Sequence, residues 1–287
     1  MSDSGTVTVI IVTHNSLPEV ENCLEHLKQL PVSSGPQVII VDNCSTDATL
    51  SAGRNFFPGA IVITNKKNLG FGAACNQAAA VATSEYLLFL NPDALPDPES
   101  VTTLIAAERS TVKAGLVVGR LRFPDGRFQA NCRNFPTINN LLFSRGSILG
   151  RLFVERFSAA TSVYSLADYD TITVVPAVAA TLMLVKRDLF TSLKGFDSRF
   201  FLYMEDTDLS FRISQAGYVN LFVPKAGAVH GFGKGAQVGR IYRSWHQHQS
   251  VWKYFLKHYP TGFSLILLPA LLMANFLLAA IIPPRRG

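Results

Sequence analysis

The chain has no Gly-x-Gly-x-x-Gly after its first apolar run and no Gly-x-x-x-x-Gly-Lys-Ser/Thr anywhere. The first absence sets aside a dinucleotide-dependent oxidoreductase, and the second a P-loop NTPase. Cysteine is sparse: Cys23, Cys44, Cys75 and Cys132 are scattered over 287 residues without a Cys-x-x-Cys pair. That argues for reduced thiols in the cytosol and against a zinc site. Acids stop at Asp208. The remainder carries nine Lys or Arg, which against a whole-chain net charge of +6 leaves −3 for residues 1–208. No nucleic-acid motif accompanies that basic tail, so a nucleic-acid partner is not expected. Residues 263–282 contain no charge at all, and the polar start Met1-Ser2-Asp3-Ser4 leads us to expect no cleavable signal peptide. No internal repeat or low-complexity tract is seen.

What is present reads as an α/β nucleotide-binding unit over residues 7–93. Val7-Thr8-Val9-Ile10-Ile11-Val12 is β-branched and nearly continuous in apolar character, as a strand buried on both faces requires. The polar loop Thr13-His14-Asn15-Ser16 follows, and Pro18 opens a helix to about Leu30. Residues 38–41 form a second buried strand ended by Asp42-Asn43, and Ser45-Thr46-Asp47 can cap the next helix. Residues 60–63 and 86–90 read as further strands, with a helix over 70–82 between them. Strands alternating with helices predict a mainly parallel central sheet, whose ligands bind at the carboxyl ends of the strands. Those ends carry Thr13, His14 and Asn15, then Asp42, then Asn91-Pro92-Asp93.

Without a glycine-rich phosphate cradle, a bound diphosphate calls for a divalent cation as counter-charge. Asp93 can supply one hard oxygen ligand for Mg2+ or Mn2+, or can simply close an Asn-Pro-Asp turn on its own backbone. A second acidic group, Glu205-Asp206-Thr207-Asp208, follows the apolar Phe200-Phe201-Leu202-Tyr203-Met204 and opens a helix. Acids favour helix starts in any protein, yet these should lie at a pocket rim, where a carboxylate is a candidate general base. Clustered like charges should raise at least one of their pKa values. Arg212, four residues past Asp208, is expected to pair with it within the helix.

The ordered set Thr13-His14-Asn15, Val41-Asp42-Asn43-Cys44-Ser45-Thr46-Asp47, Asn68-Leu69-Gly70-Phe71-Gly72, Asn76, Leu90-Asn91-Pro92-Asp93, Gly195-Phe196-Asp197 and Tyr203-Met204-Glu205-Asp206-Thr207-Asp208-Leu209 resembles the inverting family 2 glycosyltransferases of the GT-A fold. Within that family it is most similar to bacterial rhamnosyltransferase-like members, over about residues 7–235. The resemblance implies a nucleotide-diphosphate-sugar donor, Mg2+ or Mn2+, and one displacement at the anomeric carbon. It implies Asp206 as catalytic base with Glu205 beside it, and Thr13, Asn15, Asp42, Asn68, Gly70, Phe71 and Asn91 as donor-nucleotide-binding residues. It implies Asp93 and His230 as metal ligands. Asn91 stands where the family's metal motif has its first acid, and Val178-Ala179-Ala180 where many members have a glycine. Plainer readings stand beside these. Asp42 can cap the helix after Ser45, Gly70 and Gly72 can serve a tight turn, and His230 can be structural within a glycine-rich loop, residues 229–235, that follows a strand at 221–223 and also holds Lys234.

The acceptor half should begin with a hairpin at Asp125-Gly126, continue through an irregular flap over residues 134–170, and include strands over 173–175 and 181–185. We expect a catalytic domain over residues 1–258 and a hydrophobic membrane-associated C-terminal helical segment over 259–287. Twenty uncharged helical residues reach about 30 Å, a bilayer's hydrocarbon thickness. Trp245, Trp252, Tyr254 and Tyr259 suggest an aromatic belt before it, and Pro269 allows a kinked or re-entrant path. A homo-oligomer interface would bury the same surface. Basic residues ahead of an apolar segment suit an anionic membrane and a polyprenyl-diphosphate-linked saccharide acceptor at the cytoplasmic face of a bacterial inner membrane. A catalytically silent sugar-nucleotide-binding scaffold and a nucleotidyltransferase are the competing classes. Thr13-His14-Asn15-Ser16 lacks the basic, glycine-rich triphosphate loop the latter needs.

Overall fold

The computed structural model describes residues 6–29, 36–137, 170–231 and 239–281. Strands β1 (Val7–Thr13), β2 (Gln37–Asp42), β3 (Ile61–Thr64) and β4 (Tyr86–Leu90) pair in parallel, in spatial order β3-β2-β1-β4. The inward runs of β1, β2 and β4 are almost wholly buried, as their unbroken apolar sequences require. Helices α1 (Glu19–Lys28), α2 (Thr49–Phe56) and α3 (Phe71–Val81) connect them. In α1 the buried Val20, Cys23, Leu24 and Leu27 recur at helical spacing and pack on the sheet. Burial pushes the Cys23 and Cys75 thiols well above their ordinary range, so both behave as small apolar residues.

The second half adds β5 (Ala94–Pro96), α4 (Ser100–Ser110), β6 (Ala114–Arg122), β7 (Phe128–Gln129), β8 (Cys132–Arg133), β9 (Thr173–Val175), β10 (Ala177–Val178), β11 (Leu182–Lys186), α5 (Arg187–Ser192), α6 (Glu205–Gln215) and β12 (Val219–His230). The main sheet runs β3-β2-β1-β4-β11-β6-β12-β5, with β7 on β6 and β9 on β12. The strands β3, β2, β1, β4, β6 and β12 share one direction; β11 is inserted between β4 and β6 against both. The sheet is therefore mixed but mainly parallel. The sequence's strand–helix alternation holds only as far as β4, and strands reached without a crossover helix return antiparallel. The hairpin at Asp125-Gly126 closes as expected, with Phe123 N–H donating to Arg127 O at 2.9 Å. Most of the flap expected over 134–170 lies outside the described residues.

The loop expected before His230 is strand. A register irregularity between Val223 and Gly227 absorbs Pro224 and Lys225, and β12 continues to pair His230 with Ala94 of β5. The glycines and Lys234 beyond Gly231 lie outside the described residues.

After it come α7 (Arg240–His258), a π-helical turn (Phe263–Leu267) and α8 (Leu268–Ile281). Among the described residues no helix is long and apolar enough to cross a membrane. The uncharged run is split between the π-turn and α8, which folds back along α7. Trp252 Nε1–H donates to Ser264 O at 3.1 Å, Trp245 meets Phe276 edge to face at 5.3 Å, and Asn275 Nδ2 lies 2.9 Å from His248 Nε2. Tyr254, expected in an aromatic belt, is instead fully buried with Phe200, Met204, Val251, Phe255 and Leu268. Helical spacing turns it toward α6 rather than outward.

Candidate active site

At the carboxyl ends of β1, β2 and β4 a cavity of about 320 Å3 opens. Its wall includes Thr13, Asn68, Gly70, Phe71, Asn91, Asp93, Glu205, Asp206 and His230, residues far apart in sequence and singled out from it. Two others stand outside that lining. Asp42, opposite Thr13 in the β1–β2 register, is buried and accepts hydrogen bonds from Thr13 Oγ1 (3.2 Å), Ser45 N (3.1 Å) and Ser45 Oγ (2.5 Å). Asn15, at φ 50°, donates its N–H to Ser45 Oγ and accepts from Thr46 N at 2.8 Å. Their polar atoms are spent on holding the two strand-end loops together. Asp47, one residue before the N-cap Ala48, accepts from Thr49 N at 3.0 Å at the start of α2.

Asn43, not singled out from the sequence, is the hub of the donor-side loops. Its Nδ2 donates to Asn68 Oδ1 (3.0 Å) and Gly70 O (3.1 Å), while its Oδ1 accepts from Asn65 Nδ2 (3.0 Å) and Leu69 N (3.1 Å). No local pattern marks it, because each partner lies more than twenty residues away. Gly70 sits at φ 85°, and a Cβ there would meet the Phe201 carbonyl oxygen at 2.3 Å. Only glycine allows this loop to press on the chain entering α6, where Phe71 N–H donates to Phe201 O.

The chain enters α6 through two left-handed residues, Tyr203 (φ 65°) and Met204 (φ 71°). Such conformations persist where packing holds them, here through the buried Phe200 and Met204. Glu205 is thereby turned inward: it is buried, and its Oε2 has no hydrogen-bond partner among the described residues. Burial first, and the charge of Asp206 second, push its carboxyl up to about 8, with Arg133 pulling the other way. Asp206 is half-buried on the cavity wall, and its Oδ1 accepts from Thr207 N at 2.7 Å. The raised acid expected of the cluster is thus Glu205, because burial outweighs proximity.

Asp208 faces away from the cavity. Its Oδ2 pairs with Arg212 Nε at 2.8 Å, as the i,i+4 spacing predicts, and its Oδ1 meets Lys257 Nζ at 2.6 Å and His258 Nε2 at 2.7 Å. It ties α6 to the end of α7 and leaves no oxygen for an acceptor.

Across the cavity His230 Nε2 lies 3.2 Å from Asp93 Oδ1, and both side chains are buried. The ring's other nitrogen, Nδ1, is 2.7 Å from Gln129 Oε1, which accepts a proton held there. The Nε2 edge of the ring thereby faces the carboxylate. A nitrogen and a hard oxygen presented together suit one shared divalent cation. Among the described residues no group of three or more His, Cys, Asp or Glu is placed to hold a metal, so the protein contributes few ligands. The wall also carries Tyr203 of the motif that opens α6, then Arg133, Tyr242 and Arg243, which belong to no motif, and Ala179 and Ala180, where the family often has glycine.

A sequence model of glycosyl transferase family 2 matches residues 8–166. Over 241 residues the chain is 29% identical to the N-acetylglucosaminyl-diphospho-decaprenol L-rhamnosyltransferase of Mycobacterium tuberculosis, covering 79% of this chain and 76% of that protein. It is 28% identical over 239 residues to rhamnosyltransferase WbbL of Escherichia coli, covering 78% and 83% respectively. Among solved structures, mannosyltransferase PcManGT from Pyrobaculum calidifontis in complex with GDP-Man and Mn2+ shares the fold, with a TM-score of 0.61 at 20% identity over 99% of this chain and 77% of that one.

Proposed function

The chain belongs to glycosyl transferase family 2, and from that premise we propose an inverting transferase that moves a sugar, rhamnose, from a dTDP- or UDP-linked donor to a hydroxyl of a polyprenyl-diphosphate-linked saccharide. We place the reaction at the cytoplasmic face of a bacterial inner membrane, in surface polysaccharide synthesis. Two relatives named as rhamnosyltransferases, one of them for a decaprenol-linked sugar, support the choice of sugar and acceptor. The observation that carries the chemistry is one cavity with Asp93 and His230 on its wall together with Asp206 and Glu205.

Asp206 takes the proton from the acceptor hydroxyl as that oxygen attacks the anomeric carbon. The bond to the diphosphate breaks from the opposite face through an oxocarbenium-like state, so the configuration inverts. Glu205, with its carboxyl raised toward 8, keeps its proton near neutrality. The Glu205 hydroxyl is then free to donate to a substrate oxygen. Asp93 and His230 are the residues that would hold Mg2+ or Mn2+, which when bound offsets the charge that develops on the leaving diphosphate. Thr13, Asn68, Gly70, Phe71 and Asn91 line the donor's nucleotide, while Asp42 and Asn15 keep the strand-end loops in place.

Calorimetric titration of dTDP and of UDP, each with Mg2+ and with a chelator, tests the reading. Binding of one nucleotide, lost with the chelator, is the expected result. Binding of neither to folded protein would overturn the donor site.

A further inference from the structure

Two guanidinium groups on the cavity wall have no work inside the protein. Arg133 ends β8 and Arg243 lies in the first turn of α7, yet both line the same cavity. Neither side chain has a hydrogen-bond or ion-pair partner among the described residues. Other arginines of the described residues are engaged: Arg122 with Asp97 at 2.6 Å, Arg199 with Asp197 at 2.6 Å, Arg212 with Asp208 at 2.8 Å. Arg133 and Arg243 converge on one group. Burial raises the Tyr203 phenol above its ordinary value, and the charges of Arg243 and Arg133 pull it back down. Arg133 also acts on Glu205 without forming an ion pair with it. Two unpaired guanidinium forks facing a cavity are a site for a multivalent oxyanion, since each can bind phosphate oxygens bidentately.

α8 runs back along α7, and Phe276 packs on Trp245. The neighbouring Leu277 and Leu278 are exposed. Paired cations at the cavity, in a protein that also bares a hydrocarbon surface, match an amphiphile with a diphosphate head and a hydrocarbon tail.

We propose that Arg133 and Arg243 form the seat of the acceptor lipid's diphosphate, and that its hydrocarbon chain leaves over Leu277 and Leu278 of α8. The inference rests on the glycosyltransferase reading and names the part of the site that the acceptor uses. The same arginines would serve the diphosphate of the donor nucleotide equally well in chemical terms, so the test must separate the two sources.

The probes are farnesyl diphosphate, farnesol, dTDP and UDP, titrated calorimetrically into the full chain. The wild type should bind farnesyl diphosphate while saturated with its preferred nucleotide. Arg133→Gln and Arg243→Gln should each weaken that binding about tenfold, the usual scale for losing one charge-assisted phosphate contact. Nucleotide affinity should move by less than about twofold, and farnesol binding should be unaffected. Arg243→Lys keeps the charge but loses the fork, and an intermediate loss is expected of it even if a glutamine variant folds poorly. Competition between farnesyl diphosphate and the nucleotide, with both weakened together, would assign the arginines to the donor and overturn the proposal. So would farnesyl diphosphate affinity that is absent or unchanged in the variants. Failure of the wild type to bind either nucleotide is a separate outcome, and it would strike the glycosyltransferase reading first.

Discussion

Two adjacent carboxylates differ in setting: Glu205 is buried and Asp206 only half-buried. Asp206 is half-exposed on the cavity wall, and Asp206→Asn should lower the transfer rate by about 10^2- to 10^4-fold, the usual contribution of a positioned base. Nucleotide affinity should be retained, and a rate left unimpaired would remove Asp206 as the base. Glu205 leaves its mark on stability. Its folded carboxyl is raised from 4.5 to about 8, so between those values the folded state binds more protons than the unfolded one. Stability should therefore be fullest below about pH 4.5, fall as pH rises toward 8, and level off above, by on the order of a few kcal/mol. Glu205→Gln should abolish that slope. The measurement is the urea midpoint of both proteins from pH 5 to 9; a pH-independent gap between them would mean that Glu205 is ionised in the fold. Gly70→Ala adds a methyl where the Phe201 carbonyl already stands, at a φ that L-residues avoid. It should weaken nucleotide binding at least tenfold and lower the thermal midpoint by several degrees, read by calorimetry and circular dichroism.

At the scale of elements, the catalytic helix is held from behind. Asp208, wholly buried, gathers Arg212 of α6 with Lys257 and His258 of α7, and Lys257 reaches on to Asp197 at 2.7 Å. Burial pulls the Asp208 carboxyl up, but His258, Lys257 and Arg212 together outweigh it and hold it below its ordinary value. A depressed carboxyl contributes stability above its ordinary pKa and loses it as pH falls through the folded value, so this joint should fail in acid. Asp208→Ala leaves Arg212, Lys257 and His258 without their shared acceptor. It should destabilise the fold by about 3–5 kcal/mol, measured by urea unfolding at pH 7. A loss under about 1 kcal/mol would show the cluster to be solvated rather than structural. Only the i,i+4 half of that joint was legible in the sequence, because its other members lie fifty residues on. The same division runs through the molecule. β1, β2 and β4 and the start of α6 follow from short-range patterning and were read correctly. The reversed β11, the continuation of β12 to His230 and the Asn43 hub depend on partners distant in sequence. Motif likeness pointed to Asp93, His230 and Asp206, which share one cavity wall, whereas Arg133 and Arg243 belong to no pattern and emerge only when β8 and α7 meet at that cavity.

The whole molecule is polarised. Leu265, Ile266 and Leu267 of the π-turn are exposed, Ile266 by 78%, and exposed Leu271, Met273, Leu277 and Leu278 extend the apolar surface along α8. No acid follows Asp208, and Lys253 lies on the α7 against which this hairpin packs. The π-turn runs directly into α8, and the two present this surface along one side of the hairpin they form with α7. Burying each exposed aliphatic side chain contributes about 1.5–3 kcal/mol, and each nearby cation about 1 kcal/mol at an anionic surface. The full chain should therefore partition onto vesicles containing anionic phospholipid, less so as salt is raised. The double change Ile266→Asp and Leu267→Asp alters only exposed side chains, so it should spare nucleotide affinity while lowering vesicle binding at least tenfold. A second copy of the chain could cover the same surface, and sedimentation without vesicles separates the two occupants. An oligomer that the double change splits into monomers would assign the apolar face to self-association. A monomer that binds vesicles, and stops doing so when Ile266 and Leu267 become acidic, would assign it to lipid and set the mouth of the cavity at the membrane, where a lipid-linked acceptor lies.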